Sequence, residues 1–137
     1  MAKEKHVLFV CKHNVFRSKV AEAFFKKFAQ LPFVARSAGV FPGRKLDLRE
    51  VAAAQELGVL LKGKPRGIDQ KLLDWQDFIV IVANDVPRKI FTKEKRANVI
   101  YFWNIPDISA GSKKEIQRII LAIEEKVKAF TEVLEHG

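Results

Sequence analysis

The sequence predicts an α/β protein in which a parallel sheet is wrapped by helices on both faces. Three observations carry that prediction. Short apolar runs alternate with amphipathic stretches along the chain, as in repeated strand-helix-strand units. One such run passes from strand to helix through a loop that opens on the chain's single cysteine, Cys11. The chain has 137 residues, 48% of them hydrophobic, so it has the size and apolar content of one domain over 1–137.

The elements follow in order. Residues 7–10, Val7-Leu8-Phe9-Val10, read as a buried strand, and residues 19–28 read as an amphipathic helix with Val20, Ala23, Phe24 and Phe28 among its apolar positions. A second strand is placed at 33–36. Asp47 is positioned to cap a second helix that runs through Val51, Ala54 and Leu57 and stops at Gly58. Residues 78–82 and 99–102 supply the third and fourth strands. Ser112-Lys113-Lys114-Glu115 is a capping box. The stripe it introduces, Ile116, Ile119, Ile120, Ile123, Val127, Phe130 and Val133, is assigned to core packing.

The chemistry is concentrated in Cys11-Lys12-His13-Asn14-Val15-Phe16-Arg17-Ser18. A strand-loop-helix turn of this length can aim successive backbone N–H groups into one concavity, and the first turn of the helix leaves its own N–H groups unpaired, so the loop from Lys12 to Ser18 is a nest for an oxyanion. The same dipoles and the Arg17 guanidinium favour the ionised sulfur of Cys11, the nucleophilic form of a thiol. Arg17 offers a planar fork that grips two phosphate oxygens and holds them more strongly as charge builds in a transition state. Ser18 can donate to the sulfur and ease its departure. Asn14 and His13 are residue types that tolerate left-handed backbone angles. The competing reading is a small buried hydrophobe at a strand end, the usual fate of a free cysteine. An arginine followed by a hydroxyl at these offsets arises by chance after roughly one cysteine in a hundred, which favours the nucleophile.

Composition excludes several classes. The net charge of +9 comes from lysines and arginines spread along the chain without interleaved aromatics, so it reads as a solvated surface that steers anions, and no nucleic-acid partner is expected. No apolar run approaches a membrane span, and residues 1–5 lead straight into the first strand, so a cytoplasmic location without a signal peptide or membrane partner is expected. His6 and His136 have no ligand spacing, and no metal or cofactor is called for. Phe41, in the turn after strand two, is assigned to covering the core rather than to walling a cleft. Trp103 is expected to pack beneath the segment that follows strand four. Lys64-Pro65-Arg66-Gly67 reads as an exposed turn. Composition carries no signal for oligomeric state.

With Cys11, Asn14, Arg17 and Ser18 in place, the chain resembles the low-molecular-weight protein tyrosine phosphatase family. Ser37-Ala38-Gly39 is similar to the stretch that follows the family's second strand, and Phe102-Trp103-Asn104-Ile105-Pro106-Asp107 to the loop that supplies its general acid. The resemblance implies a four-stranded sheet in order 2-1-3-4, with Cys11 and Asp107 on one rim and Ser37 supporting the loop with Asn14 and Ser18. It implies hydrolysis through a phosphocysteine on Cys11, with Asp107 as acid and then base, acting on a phosphotyrosine-bearing protein or a small aryl phosphate without a metal. The chain departs from the family at His13, where a glycine is usual, and at Phe16, where many members carry a second cysteine. Ile108 and Ser109 follow Asp107 in place of the family's proline and tyrosine. Arsenate reduction, known on the same fold, would need an external thiol here because no resolving cysteine exists. A non-catalytic phosphate-binding module is the remaining alternative.

Overall fold

The computed structural model describes residues 3–30, 32–61, 63–92, 99–107 and 111–136. Its centre is a parallel sheet of β1 (Lys5–Cys11), β2 (Phe33–Gly39), β3 (Phe78–Val82) and β4 (Val99–Trp103), ordered β2-β1-β3-β4. β1 therefore pairs on both edges, with Val7 opposite Ala35 on one side and Phe78 on the other. The third strand has the predicted bounds. The first two run further than predicted, to Cys11 and Gly39, because their last residues stay in register with each other.

Alternation along β1 divides the interior in two. Val7 and Phe9 face a core shared with α1 (Arg17–Phe28), α2 (Leu48–Glu56) and α5 (Lys113–His136), whereas Leu8 and Val10 face α3 (Gln70–Trp75) and α4 (Lys89–Thr92); Cys11, the last residue of the strand, departs from the alternation and joins the second cluster. Helices thus cover both faces, as expected. An aromatic cluster locks α1 and α5 onto the first face. The Phe130 ring lies 5.0 Å from Tyr101, 5.9 Å from both Phe25 and Trp103, and 6.3 Å from Phe9, several of them edge-on. Such pairs each add about 0.5–1.5 kcal/mol beyond burial. Trp103 is buried, as anticipated.

The predicted starts of α2 and α5 hold, whereas α1 begins at Arg17, two residues ahead of the predicted Lys19. The Asp47 side chain accepts from the Arg49 backbone N–H at 2.9 Å, and a second bond, from the Arg49 guanidinium at 3.1 Å, holds the Asp47 carboxyl below its usual range. Ser112 and Glu115 exchange the reciprocal bonds of a capping box, at 3.2 and 3.1 Å. Val133 is a correction, since it is 56% exposed. The inward face of α5 continues from Phe130 to Leu134, four positions on, which packs against the core, so Val133 falls to the outer side of the helix. Among the described residues no helix is long and apolar enough to cross a membrane.

Candidate active site

β1 lies where the strand order reverses, and its carboxyl end delivers Cys11 to the crevice at that switch. The chain then turns through residues 12–16 into α1. Asn14 is the only non-glycine residue with positive φ among those described, at 56°, so the tight bend falls on Asn14 and His13 does not share it. The turn aims the Asn14 N–H at the Cys11 sulfur, 3.3 Å away, and the Ser18 hydroxyl lies 3.0 Å from the same atom. Cys11 is 2% exposed. α1 begins with no side-chain cap and no acidic residue in its first turn, which leaves its leading N–H groups to whatever anion occupies the loop.

A buried chain of hydrogen bonds orients the hydroxyl beside the sulfur. The Arg66 backbone N–H can only donate, and its acceptor is Asn14 Oδ1 at 2.8 Å, so the Asn14 amide nitrogen must face the other way. That nitrogen donates to Ser18 Oγ at 2.8 Å and Ser37 Oγ at 3.0 Å. Ser37 in turn donates to the Glu22 carboxylate. With its oxygen already accepting from Asn14, Ser18 has its proton left for the sulfur. Arg66 and Glu22 carry no sequence signal for this task, and Lys64–Gly67 is more than an exposed turn, because the Arg66 carbonyl also accepts from the Gly39 N–H at 2.8 Å.

Gly39 sets how closely β2 approaches the loop. A Cβ there would lie 2.6 Å from the His13 carbonyl carbon and 2.7 Å from the Asn14 nitrogen, both backbone atoms that cannot swing aside. Gly39→Ala is therefore expected to displace the loop, lowering stability by about 1–3 kcal/mol and any turnover at Cys11 by more than tenfold. Thermal unfolding and initial rates measured on the same preparation check both effects.

β2 also stitches its outgoing segment to the loop. The Val40 and Phe41 N–H groups donate to the carbonyls of Cys11 and Lys12, and His13 Nδ1 donates to the Phe41 carbonyl at 2.7 Å. Phe41 does not cover core as predicted. Its backbone is committed to the loop and its side chain is 66% exposed.

Cys11, His13, Val15, Phe16, Arg17, Arg44 and Asp107 line one narrow cleft. Asn14 and Ser18 stand behind it, and Lys12 is not among its lining residues, although its carbonyl anchors Phe41. The Phe16 side chain packs into the core on the α1 and α5 side. Arg17 is 4% exposed and is held from beyond the cleft, with Nη1 donating to the Ile105 carbonyl at 2.8 Å and Nη2 to Asp85 Oδ1 at 2.9 Å. Asp85, in the turn after β3, was not predicted. Its one local signal is an Asn-Asp turn at the carboxyl end of a strand, on the ligand-binding rim. Ile108 and Ser109 lie outside the described residues. Burial pulls the Lys19 ammonium, in the first turn of α1, below the usual lysine value, against the raising effects of Glu22 and Cys11. Among the described residues no group of three metal-ligating side chains converges.

Residues 6–137 match the family model for low molecular weight phosphotyrosine protein phosphatase. The chain is 27% identical over 133 residues to an arsenate reductase from Brevibacillus brevis, covering 96% of this chain and 98% of that one. It superposes on the crystal structure of an arsenate reductase from Archaeoglobus fulgidus with a TM-score of 0.74 at 32% identity, covering 91% and 98% of the two chains. A protein tyrosine phosphatase from Entamoeba histolytica shares the fold with a TM-score of 0.84 at 23% identity, over 98% and 99%.

Proposed function

Because the chain belongs to the low molecular weight phosphotyrosine protein phosphatase family, we propose that it hydrolyses phosphomonoesters, phosphotyrosine and aryl phosphates in particular, through a phosphocysteine on Cys11. The observation that carries this reading is the Cys11 sulfur, bonded by the Ser18 hydroxyl and the Asn14 N–H at the uncapped start of α1, in one cleft with Arg17 and Asp107.

The sulfur attacks phosphorus as the phosphorus–oxygen bond to the leaving group breaks, and the leaving oxygen takes its proton from Asp107. Asp107, now a carboxylate, removes a proton from water, whose oxygen attacks phosphorus and expels the sulfur toward the Ser18 hydroxyl. A sulfur that is already ionised needs no base, whereas a departing phenoxide needs an acid, so one carboxyl serves both steps. Arg17 and the α1 N–H groups hold the equatorial oxygens. Such a thiol is best kept in a reducing compartment, which the cytoplasm provides.

Arsenate reduction is the second reading, and the arsenate reductases among the chain's relatives favour it. Against it, a single cysteine leaves no internal thiol to resolve an oxidised Cys11. One panel separates the readings: phosphate release from aryl phosphates and a phosphotyrosine peptide, with acid-quench trapping of phosphocysteine, beside arsenite release with thioredoxin or glutathione. Phosphate release with a trapped intermediate is expected. Arsenite release without it would reverse the assignment, and vanadate binding without either would leave a binding module.

Asp107→Asn separates the acid from the nucleophile. Its rate loss is expected to be about 10²–10³-fold for phenyl phosphate and much smaller for 4-nitrophenyl phosphate, whose leaving group needs little protonation. Equal losses on both substrates would remove Asp107 from the proton transfer.

A further inference from the structure

Above the phosphate loop the cleft wall carries a cation, Arg44, in the segment between β2 and α2. Its Nη2 donates to Glu50 Oε1 at 3.1 Å, and Glu50, on α2, has a side chain only 1% exposed. Burial pushes the Glu50 carboxyl up, against the pull of Arg44, so the pair is costly to hold in charged form. The arrangement leaves a further cost uncompensated. Among the described residues Arg44 Nε has no hydrogen-bond partner and is shut off from water, although the side chain as a whole remains 26% exposed. Buried ion pairs are often replaceable by apolar side chains at no loss, and an orphaned donor adds about 1–3 kcal/mol against this one.

The pair makes sense as a preorganised reader. Glu50 pins one edge of the guanidinium from below, so the fork does not have to be ordered when a ligand arrives, and its remaining donors belong to a residue that lines the cleft with Cys11, Arg17 and Asp107. Arg17 is already assigned to the phosphoryl group, so a second fixed guanidinium in the same cleft fits a second anion.

We propose that Arg44 sets specificity by binding a second anionic group, carboxylate or phosphate, carried beside the phosphomonoester. The proposal rests on the phosphatase reading for the identity of the first group, but the second group can be tested without turnover.

The test compares 3-carboxyphenyl phosphate with phenyl phosphate, and a phosphotyrosine peptide flanked by aspartates with one flanked by asparagines. The wild type is expected to favour the acidic member of at least one pair by about tenfold in kcat/KM. Arg44→Met should bring that ratio to about one, and Arg44→Lys should restore part of it. A preference confined to the peptides assigns the second anion to a neighbouring side chain, and one shown by the small pair assigns it to the leaving group itself. Because Arg44→Met strands Glu50, the double variant Arg44→Met/Glu50→Gln provides a folded comparison.

Calorimetric binding of 3-carboxybenzylphosphonate against benzylphosphonate gives the same ratio without chemistry. If no substrate is hydrolysed, the phosphatase reading falls and the binding ratio still decides Arg44. An acidic preference that survives Arg44→Met, or no acidic preference in either turnover or binding, would overturn the proposal.

Discussion

Cys11→Ser is expected to abolish phosphate release from aryl phosphates, by on the order of 10⁴-fold or more in kcat, while leaving phosphate or vanadate binding measurable. A serine hydroxyl at this position has no base beside it. The groups nearest the sulfur are the Ser18 hydroxyl and the Asn14 N–H, both arranged to donate. They suit an atom that arrives negatively charged and cannot take a proton from one that does not. The oxyanion nest proposed for this loop, by contrast, would use backbone N–H groups and Arg17, none of which the substitution touches. Lost turnover with retained anion binding therefore marks Cys11 as the nucleophile, and full phosphate release from the serine variant would exclude the covalent route.

What the sequence made legible follows the range of the interactions involved. The third strand and the starts of α2 and α5 are specified by adjacent residues, the apolar run at 78–82 and the side chains of Asp47, Ser112 and Glu115 bonding backbone within three positions, and these came out as predicted. α3 and α4 escaped notice because six and four residues are too few to complete an apolar period, even though Asp69 caps α3 through the Leu72 N–H. The parts of the site missed are long-range. Asp85 reaches Arg17 across 68 positions, and Arg66 reaches Asn14 across 52. No local pattern announces such partners. Phe41 shows the same limit from the other side, since the tendency of turn aromatics to cover core was overridden by the bonds its main chain makes to the Lys12 carbonyl and the His13 ring, which leave the ring outward.

Arg17→Lys is expected to lower kcat/KM by on the order of 10³-fold although the charge is retained. The guanidinium is fixed on one edge by the Ile105 carbonyl at 2.8 Å and on another by Asp85 at 2.9 Å, in a setting where Arg17 is 4% exposed. A lysine ammonium is a single point of charge. It cannot satisfy both anchors and still present two parallel donors to the phosphoryl oxygens, and pairing with Asp85 would draw it away from the cleft. Asp85→Asn isolates the anchor from the fork, because it keeps the shape and removes the charge that positions Arg17. Its loss should be smaller, about tenfold, and should fall on kcat more than on KM, since a loosely held guanidinium still attracts the dianion but no longer meets the transition-state oxygens in register. Equal kinetics for Asp85→Asn and the wild type would show that the loop alone positions Arg17, and a wild-type rate in Arg17→Lys would remove bidentate recognition from the mechanism.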